Sequence, residues 1–362
     1  MNINIGVDLH KTQFTVYYRS GTGYYREYAT NEQGYRSFLM NINRLREIGD
    51  TVRVGVESTG NTRYFKNYLE REGIEVKVIN TLKFKVINES VKKTDRHDAS
   101  TIAEFLEKDM LPEARLCSEK SEEMRRLLKV RRTLVRTIVT VKNQIHSLLT
   151  GLGMEDVRGS LQSKRGRQAV LDALHRTARG LVVQPLFDII NRLQEDVKHI
   201  EKELEKLTAG DRVVELLLTI PGCGPITAWT IRASTDDITR FSEHKRYAAY
   251  AGLAPWVQCS NMTAHYGRIT KRGPEELRTA LVQLVMGMNR SRMTKDYRVM
   301  IQYKAMKKNK GSGKSIIATA RKLSKIIWFM LTDNKPFNSD LMVNKNLNDK
   351  ADDMRTAIKI SA

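Results

Sequence analysis

Cysteine is scarce in this 362-residue chain, and Cys117, Cys223 and Cys259 are odd in number and lack the spacing of a disulfide framework or a thiolate metal site. A reducing compartment suits them, so a cytoplasmic, nucleoid-associated location is expected. Long apolar runs are also missing. The most apolar late stretch, "SIIATARKLSKIIWFML", is broken by Arg321, Lys322 and Lys325 and reads as a buried or basic amphipathic helix, so no membrane span is expected. The opening "MNINIGVDLHK" lacks the basic-then-apolar layout of a signal peptide, which makes export unexpected. No repeat array or long low-complexity tract is evident. Acidic residues are the last shortage: 41 Asp and Glu face 62 Lys and Arg, leaving +21. That excess is spread along the chain and calls for a polyanionic partner, with nucleic acid a better fit than a membrane surface.

What is present divides into two or three modules, the number expected for this length. "INIGVDLH" alternates Ile3, Ile5 and Val7 against Asn4, Gly6 and Asp8, and "TVRVGVES" repeats the figure with Val52, Val54 and Val56 against Arg53, Gly55 and Glu57. Both strands end in Gly-Val-acid. Two further strands, "FTVYY" and "YYREYAT", a helix through "GYRSFLMNINRLREIG", the helix "NTRYFKNYLEREG", the strand "EVKVIN" and a last helical stretch complete the order. Three strands, helix, strand, helix, strand, helix predict an α/β sheet of mixed direction over residues 1–115.

From about Ser121 a long helix carries Leu127, Leu134, Val141 and Leu148 every seven residues, with Val130, Ile138 and Ile145 between them. "GLGMEDVRGSLQSKRGR" reads as a basic loop, and a second long helix presents Leu186, Ile190, Leu193, Val197, Ile200, Leu204 and Leu207. These coiled-coil-like seams, within residues 116–208, can pair with each other or with a second subunit, and an oligomer is expected. Residues 209–362 read as a mainly α domain.

Asp8 and Glu57 end strands that should be neighbours, and Asp95 and Asp98 in "KKTDRHDAST" share a helix face. Four converging carboxylates repel one another unless cations sit between them, and oxygen ligands suit Mg²⁺ or Mn²⁺ for phosphodiester transfer. Taken alone, Asp95 or Thr94 can simply cap the helix, with Asp98 favoured in its first turn. His97, with no second histidine beside it, is expected to face solvent or a phosphate. In "TIPGCGPITA", Gly222 and Gly224 have the shape of a helix-hairpin-helix turn that approaches a phosphate; a tight connection between packed helices is the alternative. "KNKGSGKS" fails as a nucleotide-binding loop because Lys308 stands where the first glycine belongs and no strand leads into it.

The element order with acids at these positions resembles the ribonuclease-H-like fold of RuvC-type nucleases. More specifically, "GVDLHK", "GVESTG" and "KTDRHDA" resemble the Asp-Glu-Asp-Asp motifs of the insertion-sequence family one-hundred-and-ten transposases, relatives of the Piv DNA invertases. The stretch "AGLAPWVQCSNMTAHYGRITKRGPEELR" resembles their second block, where a serine precedes a Gly-x-Ile-x-Lys-x-Gly segment. The resemblance implies that Asp8, Glu57, Asp95 and Asp98 bind Mg²⁺ (or Mn²⁺), and that Ser260 is the nucleophile of a 5′-phosphoserine intermediate. Asn261 stands where that family has glycine, and Cys259 precedes the serine. Arg268, Lys271, Arg272 and Arg278 supply cations for phosphates. The resemblance further implies donor and target DNA as partners, a guide (bridge) RNA, and a homo-oligomer, a dimer or tetramer. A site-specific invertase, a junction nuclease with Ser260 as bystander, and a non-catalytic nucleic-acid scaffold are the alternative readings.

Overall fold

The computed structural model describes residues 2–19, 22–81, 83–84, 94–151, 153, 161, 163–174, 180–260 and 263–343. Asn261 and most of the expected basic loop (154–160) lie outside the described residues. The chain divides into two compact units, Met1–Cys117 and Ser118–Ala362.

The first unit is built on a five-stranded sheet ordered β3-β2-β1-β4-β5. Its strands are β1 (Asn2–Leu9), β2 (Gln13–Arg19), β3 (Tyr24–Ala29), β4 (Thr51–Glu57) and β5 (Glu75–Ile79). β1, β2 and β3 form an antiparallel meander, while β1, β4 and β5 run parallel. This is the mixed sheet the alternation predicts, and it is compatible with a ribonuclease-H-like domain.

Each face of the sheet is covered by helices. α1 (Glu32–Glu47) and α2 (Thr62–Glu70) cover the aliphatic face, where Phe14 meets Phe38 and Phe65 edge-on at 5.5 and 5.7 Å. α3 (Asp95–Glu107) lies over the other face, so Asn4, Gly6 and Asp8 are buried as well as Ile3, Ile5 and Val7.

In the second unit, α4 (Glu119–Gly151) and α6 (Gly180–Leu207) pack along each other, so the two apolar seams pair within one chain. Ile138, Val141, Ile145 and Leu149 meet Val183, Phe187 and Ile190 in their shared core. Val130 and Leu148, expected on the α4 seam, are exposed. A 3.6-residue helix drifts about 20° per heptad against a strict seven-residue repeat, so Leu149 replaces Leu148 at the far end. α5 (Lys164–Leu174) takes up the end of the expected basic loop. Its Arg167 is buried and donates to the Leu161 carbonyl, Asn191 and Gln194 instead of facing solvent.

The remainder comprises α7 (Arg212–Leu218), α8 (Pro225–Thr235), α9 (His244–Tyr250), α10 (Glu275–Arg290) and α11 (Arg298–Thr332), the last broken at Gly311. One element departs from the expected mainly helical pattern: an antiparallel hairpin of β6 (Pro255–Ser260) and β7 (Thr263–Ile269). Trp256 and Val257 on it are exposed, so little burial marks it out in the pattern of apolar residues. Among the described residues, no helix is long and apolar enough to cross a membrane.

Candidate functional site

β1 and β4 carry Asp8 and Glu57 to the same edge of the sheet. Val7 pairs with Val56, so the two acids are the next residues on adjacent parallel strands, at their carboxyl ends. α3 begins at this edge because Thr94, not Asp95, is its N-cap: the Thr94 hydroxyl accepts the His97 N–H at 3.2 Å. Capping leaves Asp95 and Asp98 in the first turn, where the helix dipole favours negative charge. The His97 carbonyl accepts from the Ser100 and Thr101 hydroxyls, and its ring is half-buried.

The closest contacts run through a residue that the sequence reading passed over. His10 Nε2 lies 3.1 Å from Asp8 Oδ2 and 3.4 Å from Asp95 Oδ2. One donor atom each from Asp8, His10 and Asp95 falls within 4.8 Å of the others. The signal was available, since His10 stands two residues after Asp8 in an extended segment and so projects to the same side. Burial pushes the Asp8 carboxyl up to about 6; His10 opposes this, and the charges of Asp95, Glu57 and Asp98 add to it. The three other acids therefore all bear on one buried carboxyl, that of Asp8. A set of carboxylates with one imidazole fits a divalent cation of the Mg²⁺ or Mn²⁺ kind, which would relieve the repulsion.

In the second unit, Ser260 ends β6 and pairs with Thr263 at the turn end of the hairpin. Arg268, Lys271 and Arg272 are exposed at the opposite end, where Pro255 pairs with Ile269. Five residues of strand separate the two ends, about 16 Å. The expected cations therefore cluster at the base of the hairpin, away from the turn end where Ser260 stands. The base of the hairpin is tied by Thr270 N–H to the Ala254 carbonyl at 2.9 Å and Lys271 N–H to the Gly252 carbonyl at 3.3 Å. Arg278 donates to the Lys271 carbonyl at 3.3 Å. Lys271 itself sits in the left-handed region at φ 53°. The two blocks "AGLAP" and "GRITKRG" are thus one structural clamp.

Residues 5–154, which include the acidic cluster, match a family model described as transposase, and residues 214–300, which include the hairpin, match that of the transposase IS116/IS110/IS902 family. The chain belongs to this transposase family. A "probable family 20 transposase" of Pseudomonas aeruginosa is 25% identical over 345 residues, covering 92% of this chain and 98% of its own length. The transposase for insertion sequence element IS1111A of Coxiella burnetii is 28% identical over 78% of this chain and 79% of its own length. A pilin gene-inverting protein of Moraxella bovis is 25% identical over 92% of this chain and 97% of its own length. Transposases of this family are enzymes that cleave and rejoin DNA, which accounts for a strongly basic chain.

The transposase has a second basic surface. α4, α8 and α10 enclose a groove of about 430 Å³ with Leu128, Val135, Ile226 and Ala280 in its lining. Arg125 donates to the Ala233 and Ser234 carbonyls, Arg131 pairs with Glu201, and Arg132 pairs with Glu276 at 2.9 Å. Among the described residues, Lys129 and Arg136 on the same helix have no carboxylate partner. Gly222 and Gly224 divide in role. Gly222, at φ 88°, lies against Gly287 of α10, where a Cβ would come within 2.5 Å of backbone. Gly224 caps α8 and faces open space.

Proposed function

We propose that this transposase exchanges DNA strands through a 5′-phosphoserine intermediate, with Asp8, Glu57, Asp95 and Asp98 as ligands of Mg²⁺ or Mn²⁺ in a RuvC-like domain and Ser260 as nucleophile. The observation that carries the reading is the convergence of the acids on Asp8, whose buried carboxyl is pushed up to about 6. Such a cluster costs stability unless a cation occupies it, and a cost of this kind is kept at functional sites. The cation would supply charge stabilisation at the reacting phosphate.

In the first step the Ser260 hydroxyl oxygen bonds to phosphorus and gives up its proton, while the phosphorus–O3′ bond breaks and the 3′ oxygen takes a proton. A 5′-phosphoserine and a free 3′-OH result. In the second step a 3′-OH from the exchanged strand attacks the same phosphorus and returns the serine hydroxyl. Arg268, Lys271 and Arg272 hold flanking phosphates, and Gly224 offers an open helix N-terminus to another. Donor and target DNA are the substrates, and the active assembly is a homo-oligomer, a dimer or tetramer. The charge of +21 also suits a guide RNA, in keeping with pairing of nucleic acids rather than side chains as the source of target choice.

The deciding experiment is to trap the covalent link. A protein–DNA adduct that survives denaturation, needs divalent metal, and disappears in Ser260→Ala and Asp8→Ala supports the reading. DNA cutting that persists in Ser260→Ala without an adduct would make the chain a metal-dependent nuclease instead. An adduct retained by Ser260→Ala and lost with Cys259→Ala moves the nucleophile by one residue. RNA that copurifies with the chain and is needed for target choice tests the guide.

A further inference from the structure

The geometry points to His10 as a resident ligand of the cation held by Asp8 and Asp95, a nitrogen donor that tilts this site from Mg²⁺ toward Mn²⁺ and later transition ions. The inference rests on the reading of the acidic cluster as a metal centre and goes one step further, to which metal that centre prefers. Neighbouring ligands around an octahedral ion with bonds of about 2.1 Å are about 3 Å apart. His10 Nε2 stands at 3.1 Å from Asp8 Oδ2 and 3.4 Å from Asp95 Oδ2, so it already has the spacing of a coordination position adjacent to each carboxylate, and the three donors fall within 4.8 Å of one another. It is the same nitrogen that faces both carboxylates.

The imidazole is also held in place. The His10 N–H donates to the Gln13 carbonyl at 3.0 Å, and its own carbonyl accepts from the Thr30 hydroxyl at 3.0 Å. Both backbone groups are therefore fixed while the half-exposed ring keeps freedom to adjust. A neutral imidazole completes a coordination shell without adding to the charge of four carboxylates. Imidazole favours transition ions over Mg²⁺, which keeps oxygen ligands and water. The rival physical picture is a protonated His10 that stands in for the cation and is expelled when metal enters.

The test uses the full chain stripped of metal by chelation and titrated with Mn²⁺, with pulsed electron paramagnetic resonance to detect ¹⁴N coupling and Mg²⁺ competition to give selectivity. Wild type is expected to show imidazole nitrogen coupled to Mn²⁺. His10→Ala should lose that signal and about tenfold or more in Mn²⁺ affinity, while Mg²⁺ affinity falls no more than about threefold. His10→Asp, an all-oxygen set, should bind Mn²⁺ without the nitrogen signal and gain relative affinity for Mg²⁺. Mn²⁺ binding that depends on Asp8 but shows no nitrogen coupling and unchanged selectivity in His10→Ala would overturn the proposal and leave the metal centre standing. Mn²⁺ binding that survives Asp8→Asn would remove the metal centre itself.

Discussion

Gly6 and Gly55 are paired side by side across the parallel β1–β4 ladder, on the face that α3 covers. A Cβ on Gly6 would lie 2.0 Å from the Ala99 carbonyl oxygen and 2.6 Å from the Ala103 nitrogen. The repeated Gly-Val-acid ending thus has a mechanical meaning. The glycine seats the helix, the valine fills the opposite core, and the acid emerges where the helix begins.

Gly6→Ala should therefore move α3 and with it Asp95 and Asp98. Overpacking of this kind costs about 1–3 kcal/mol, and the variant should unfold at lower temperature and bind Mn²⁺ more weakly. Gly55→Ala should be milder, because its nearest neighbour is the Ile102 side-chain methyl at 2.9 Å, which can turn aside. Thermal unfolding with a metal titration checks both, and a Gly6→Ala protein with wild-type behaviour would show that the helix is not held by this contact.

Asp8 gives a pH signature. Its folded-state carboxyl is raised from 3.8 to about 6, chiefly by burial. Folding therefore favours the protonated form: the contribution is fully present below pH 3.8 and is lost as pH rises through about 6. In chelator, Asp8→Asn should be more stable than wild type at pH 7.5 by up to about 3 kcal/mol, and the difference should vanish near pH 4. Added Mg²⁺ or Mn²⁺ should raise the wild-type melting temperature and leave the variant unchanged. Equal stability of the two chelated proteins across this pH range would contradict the buried charge.

Much of the first unit was legible because alternation reports which side chains share a face, and the same alternation set Asp8 and Glu57 at one edge. Pairing, by contrast, depends on contacts that period alone does not carry. The α4 seam was readable in kind, yet Val130 and Leu148 fell outside it because the helix is not wound at 3.5 residues per turn. His10 was passed over because little in its local pattern marks it, and its contact with Asp95 joins residues far apart in the chain. The hairpin that ends at Ser260 escaped because Trp256 and Val257 remain exposed, so no apolar face announced it. Lys271 was readable as a cation but its left-handed backbone was not, since that is imposed by the clamp between Gly252 and Arg278.

That clamp separates strain from charge at one residue. A lysine in the left-handed region costs about 1 kcal/mol relative to glycine there. Lys271→Gly should relieve this strain and unfold at a slightly higher temperature, while DNA affinity falls and the slope of log affinity against log salt shrinks by about one. Lys271→Ala should lose the same affinity without the gain in stability. Unchanged DNA binding in both variants would remove Lys271 from the phosphate-contacting set.

The groove between α4, α8 and α10 offers a sharper separation, because its cations differ in how they are employed. Lys129 and Arg136 lie seven residues apart on α4, about 10 Å along its axis, and lack carboxylate partners among the described residues. Arg131 is engaged with Glu201 at 2.7 Å. If polynucleotide lies along this helix, the double variant Lys129→Ala with Arg136→Ala should weaken binding and reduce the salt slope by about two. Arg131→Ala should lower stability and leave the slope close to wild type, since its charge is already neutralised within the protein. Fluorescence anisotropy with labelled DNA across a KCl series measures the slopes, and equal slopes for wild type and the double variant would leave the groove without a phosphate to bind.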